Sequence, residues 1–133
     1  MSNKAFETNN PELASLHREA DHIQEVLAEP ANLDDPSSLT ERLRVLDSYM
    51  ARLGEMNSTA KALRKKAKIE FQSNREDLNK LTATVSNRII DAHMQDYDIL
   101  YDRIDTMYET IRHVTRDLVT QISYIKEQMR NLN

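Results

Sequence analysis

Apolar side chains recur along most of this sequence at alternating steps of three and four, the spacing of one face of an α-helix. The cleanest run is Tyr97, Leu100, Ile104, Met107, Ile111, Val114, Leu118, Ile122, Ile125 and Met129. It is a heptad seam with one four-residue stutter at Leu118–Ile122, and no Pro or Gly interrupts it. A second run passes through Leu39, Leu43, Leu46, Met50, Leu53, Met56, Ala60, Leu63, Ala67 and Phe71. It slips by three residues at Leu53–Met56, where Gly54 sits, either marking a close helix crossing or tolerated as a neutral residue. A third, shorter stripe joins Leu13, Leu16, Ala20, Ile23 and Leu27.

Local signals set the boundaries. Residues 1–10 read as a flexible N-terminus. Asn10-Pro11-Glu12 places a capping side chain, a first-turn Pro and an acid in order, so a first helix is expected over 11–29. Pro30 and Pro36 bracket a polar linker over 30–37. Ser38 and Glu41 fit a capping box, opening a second helix over 38–72. Ser73 and Glu76 fit another, so a third helix is expected over 75–131, with a possible break or restart between 82 and 96, where Thr82-Ala83-Thr84 is a weak helix former.

These elements predict an all-α fold: an elongated helical hairpin or bundle of three to four helices with coiled-coil-like packing and little or no β structure. An a/d-patterned helix cannot leave its stripe in water, because propensity alone does not hold it together. An antiparallel pairing of the second and third helices, with the first laid across them, is the economical solution. A third helix unbroken from 75 would outrun every partner in the chain and call for a dimer or higher oligomer.

Composition supports long helices with few turns. The 133 residues include one Gly, three Pro and no Cys or Trp. Lack of Cys excludes disulfides, thiolate metal sites and Cys nucleophiles. No apolar run reaches the roughly 18 residues that span a membrane, and the first residues lack the apolar stretch of a secretory signal. A cytoplasmic protein with no membrane role is expected.

Net charge is −4, spread as −6 over residues 1–40, +4 over 41–80 and −2 over 81–133. The positive middle contains Lys61, Arg64, Lys65 and Lys68, a basic stripe able to bracket a phosphate backbone. A solvated helix face is the plainer reading, since charge runs are usually solubilising and few aromatic groups stand nearby for stacking. Asp98, Asp102, Asp105 and Glu109 make an acidic stripe on the third helix, and opposite stripes can pair between subunits or with a partner.

Candidate chemistry is thin. Glu19 and His22 have the Glu-x-x-His spacing of di-iron bundles, but no second such motif exists. His93 lies among Asp91, Asp96 and Asp98 without a nucleophile or Gly-rich phosphate loop. The tyrosines Tyr97, Tyr101, Tyr108 and Tyr124 lie on or beside the seam, where packing is the default role. The expectation is a protein without catalytic residues, metal or cofactor.

Two stretches carry a resemblance. LTERLRVLDSYMARLGEM at 39–56, and LTATVSNRIIDAHM at 81–94 with the run to QISYIKEQMRNL at 121–132, resemble a family of small helical proteins carried by bacteriophages and prophages of gut and related bacteria. The match departs where members tend to have Pro, Trp and Cys: here Thr82 stands at the Pro position, and Trp and Cys are absent. The resemblance implies a phage accessory role in the host cytoplasm, for instance in recombination or in countering host defence, and transfers no site residues. Residues and resemblance together point to a non-catalytic interaction and oligomerisation module with a protein partner. Its interface seam is expected at Tyr97 through Ile125, with a nucleic-acid-binding factor using the basic stripe as the alternative.

Overall fold

The computed structural model describes residues 10–30 and 34–132. The expected flexible N-terminus, apart from Asn10, and residues 31–33 of the linker lie outside them. The described chain is all-α: α1 spans Pro11–Ala28, α2 Pro36–Ser73 and α3 Ala83–Asn131, with a short 3-10 helix at Glu76–Lys80.

Side-chain caps explain where the helices start. The Asn10 side-chain oxygen accepts from the backbone N–H groups of Glu12 (2.9 Å) and Leu13 (3.3 Å), and Pro11 takes the first helical position. The start of α2 differs from expectation. Asp35, not Ser38, is the cap, accepting from the Ser37 N–H at 3.1 Å ahead of Pro36. Asp35 followed by Pro36 reproduces the arrangement of Asn10 and Pro11, and it wins because Pro36 lacks the N–H that a cap must otherwise satisfy. Glu41, expected to reach back, instead pairs with Arg44.

The third helix also starts later than 75. Ser73 ends α2 with its hydroxyl donating to the Ile69 carbonyl, so it is not free to cap a new helix. The chain turns through the 3-10 helix, and Thr82 accepts from the Val85 N–H at 3.4 Å to open α3. The weak helix formers at 82–84 thus mark a restart, and the helix from there is unbroken to Asn131.

Three contacts fix the hairpin register: Arg64 with Asp98, Lys61 over Tyr101, and Phe71 stacked on His93. They make α2 and α3 antiparallel. One core cluster runs through all three helices, including Leu46, Leu53, Met56 and Ala60 of α2 and Leu100, Ile104 and Ile111 of α3. Leu78, Ile90 and Met94 form a smaller cluster under the turn. Leu53 and Met56 are both fully buried, so both sides of the three-residue slip face the core. A helix packed against two neighbours must bury a wider stripe than a two-stranded seam, and the slip supplies it. Gly54 falls on the outer face: a β-carbon there would have nothing within 4 Å, so it marks no close crossing.

Gly54→Ala is therefore expected to stabilise the protein by about 1 kcal/mol through helix propensity. A thermal melt should show the midpoint raised by about 3–5 °C; a lowered midpoint would mean that the outer face of α2 is covered.

Candidate functional site

The first helix lies in the groove of the α2–α3 hairpin, parallel to α3 and antiparallel to α2. Its N-terminus is tied to α3 by Asn10, whose amide donates to the Tyr97 hydroxyl at 3.1 Å. Further along, three arginines from the two long helices hold its flanks. Arg103 of α3 donates to the His17 ring (3.2 Å), the His17 carbonyl (3.3 Å), Asp21 (2.5 Å) and Gln24 (3.0 Å). Arg52 of α2 grips the Glu19 carboxylate with two nitrogens. Arg42 of α2 donates to the carbonyls of Val26 (2.8 Å), Leu27 (3.2 Å) and Glu29 (3.2 Å), satisfying the acceptors that a helix C-terminus leaves open.

The electrostatics follow from these contacts. The Arg52 hydrogen bond holds the Glu19 carboxyl below its usual range, partly offset by burial, and Arg52 itself is pushed up by Glu19 and then Glu55. Burial, followed by Arg103, lowers the His17 pKa. Both partners of the Arg52–Glu19 pair are partly exposed, so the pair contributes at most about 1 kcal/mol.

The residues weighed as candidate chemistry make structural contacts. Glu19 is held by Arg52, and His22 lies 3.3 Å from the Tyr49 hydroxyl, so the two do not converge on a shared site. His93 stacks on Phe71 with ring centroids 4.0 Å apart, while Asp98 is taken by Arg64. Among the described residues no group of three or more His, Asp or Glu side chains is placed to hold a metal.

The basic stripe is only partly available. Arg64 is bonded to Asp98 at 2.6 Å, and Lys61 sits over the Tyr101 ring at 5.5 Å. Lys65 is exposed and Lys68 half-buried. Asp98 and Asp91 of α3 both act on Arg64, so the acidic stripe flanks the basic one within the same chain. Of the pairings open to these stripes, the one between Arg64 and Asp98 is internal.

The seam on α3 is also used internally. Leu100, Ile104, Met107, Ile111, Leu118 and Ile122 are buried, and Tyr97 and Ile125 are half-buried against the same core. The seam from Tyr97 to Ile125 thus packs within the chain, and its facing stripe is α2. Val114 departs from the seam and is 36% exposed.

Among the described residues, the third position of the bundle is open beyond the N-terminal end of α1, and the last turns of α3 are uncovered past the other end. Ahead of the α1 N-terminus lies a groove of about 600 Å³, lined by Asn10, Pro11 and Glu12 of that end, by Leu63, Lys66, Ala67 and Glu70 of α2, and by Tyr97 of α3. Further toward the turn, Leu81 and Val85 are exposed. Past the other end, Val119, Tyr124, Met129 and Leu132 are exposed on α3.

No helix among the described residues is long and apolar enough to cross a membrane. Comparison of the chain with family models, with curated proteins and with solved structures finds no match.

The arginine contacts on α1 were not read from the sequence. Each joins residues 13 or more apart, and Arg103 stands in an otherwise acidic run, so periodicity gives no hint of its partners. Only its place on the flank of the seam, one residue before Ile104, carries a signal.

Burial separates the arginines energetically. Arg103→Met should cost about 1.5–3 kcal/mol, the range for hydrogen bonds to charged groups, whereas Arg44→Ala should stay within about 0.5 kcal/mol. Denaturant titration of both variants checks the contrast, and equal effects would contradict it. Retention on immobilised DNA at low salt should be no greater for the wild type than for Lys65→Glu/Lys68→Glu. Salt-sensitive retention that the double variant abolishes would establish the nucleic-acid reading instead.

Proposed function

We propose that this protein is a non-catalytic helical interaction module that self-associates and engages a protein partner through the open third position of its bundle. One observation carries the reading: α2 and α3 run well past the N-terminal end of α1, α3 runs on past its other end, and apolar side chains stand exposed in both places. At about 1.5 Å per residue α1 covers about 27 Å, against about 57 Å for α2 and 73 Å for α3. A two-helix stretch with an uncovered apolar flank is completed by another helix, from a second copy or from a partner. The resemblance to small phage and prophage proteins supports an accessory role in the cytoplasm of a host cell, with countering host defence or assisting recombination as the settings. The absence of cysteine is consistent with that compartment.

Mass measured by light scattering across a concentration series tests the self-association. The wild type should exceed the monomer mass of 15.5 kDa, and Val85→Glu/Tyr124→Glu should return it toward that value. A sharp monomer mass with a compact radius at every concentration would overturn the self-association.

A further inference from the structure

We propose that the side of the hairpin away from α1 is a surface on which a second copy of this chain docks, the cationic column of α2 in each copy facing the acidic column of α3 in the other. The inference rests on the self-association proposed above and adds to it a surface distinct from the apolar ends.

The position of the columns follows from the contacts and from helical geometry. Arg52 of α2 holds α1, and Lys61 stands about half a turn round the helix from it. Arg103 of α3 holds α1, and Asp98 stands about 140° round from it. Both Lys61 and Asp98 are thus on the side away from α1, and the contacts of Lys61 with Tyr101 and of Arg64 with Asp98 set the two flanks next to each other. Lys65 and Lys68 follow Lys61 at i+4 and i+7, and Asp102 and Asp105 follow Asp98 at the same steps, so each set is one column.

Charge on these columns is sorted by helix. Elsewhere it is interleaved: Glu41 pairs with Arg44, Arg52 with Glu55, Glu109 with Arg112 and Glu127 with Arg130, each within one turn. Like charges four apart destabilise a helix, and solubility alone does not require them, since interleaved pairs are equally hydrated. Arg64 and Asp98 pair across the hairpin, whereas Lys65, Lys68, Asp102 and Asp105 take no ion pair among the described residues. Lys65, Asp102 and Asp105 are exposed and Lys68 is half-buried.

Two opposite columns side by side make a surface complementary to itself. A copy related by a twofold axis along the hairpin lays its α3 over this α2 and its α2 over this α3, which matches both columns at once. By the register of Lys61 with Tyr101, the two columns are displaced by about one turn, about 5 Å, a length that a lysine side chain spans. Exposed charges add little affinity singly, and their part is to select and orient the encounter. The contact is therefore salt-sensitive.

Two charge-reversed forms of the full chain test the surface by sedimentation velocity, each alone and as an equimolar mixture. Lys65→Glu/Lys68→Glu turns the cationic column acidic, and Asp102→Lys/Asp105→Lys turns the acidic column basic. Each form meets its own kind with like charges and the other form with opposite ones. At about 50 mM salt the mean mass of the mixture should exceed that of either form alone, by up to about twofold, and the excess should vanish at about 500 mM. Should a double form not fold, Lys65→Glu and Asp102→Lys, both at exposed positions, carry the same expectation. A mixture no heavier than the mean of its parts at low salt, or an excess that salt leaves unchanged, overturns the docking surface. If the wild type self-associates in that case, only this surface falls; a wild type that is monomeric at every concentration removes the self-association as well.

Discussion

The apolar stripe of α3 is the constraint from which the rest of this structure follows. Forty-nine residues of helix present buried aliphatic positions from Ile90 to Ile122, and such a surface is stable only against another helix. The turn between Ser73 and Ala83 brings α2 back along it in antiparallel register, and the stripe of α2 from Leu39 to Ala60 becomes its partner. With that pairing in place, the outer faces are left polar, and the charges on them find one another across the hairpin, as Arg64 and Asp98 do. The ion pairs decorate an arrangement that apolar burial has already fixed.

A two-helix hairpin buries only part of each stripe, and α1 completes the middle third. Its apolar row is short, four buried aliphatic or alanine positions, and the flanking arginines supply directional contacts along it. The bundle thus joins a long hairpin to a short third helix, and apolar side chains such as Val85 and Tyr124 stand exposed on the stretches of α3 beyond it.

Periodicity made the helices and their inward faces legible before any coordinates. Every aliphatic position of the α3 run from Leu100 to Ile122 except Val114 is buried, because a side chain's direction on a helix follows from its number. Val114, 36% exposed, is the one departure, and nothing in the structure explains it. Helix starts were half legible. Asn10 caps as its sequence suggests, whereas Ser38 lost to Asp35, which stands before Pro36, and the cap at Thr82 was not read from the sequence. The candidate site was least legible. Whether the basic stripe faced a ligand or the chain's own acids depended on the hairpin register, which no local pattern encodes. The partners of Arg42, Arg52 and Arg103 depended on the placement of a third helix beside the other two.

The pairing of α2 with α3 inside one chain is open to a direct distance measurement, helped by the absence of native cysteine. Asp47 and Arg116, far from the turn and both exposed, lie at matching levels of the hairpin by the register of Arg64 with Asp98 and Lys61 with Tyr101. Spin labels on Asp47→Cys/Arg116→Cys should report about 10–25 Å, the range for neighbouring helix faces, unchanged when the labelled protein is diluted into an excess of unlabelled chain. A separation beyond about 50 Å, approaching the length of α2, would contradict the internal antiparallel pairing, as would a short distance that disappears on such dilution.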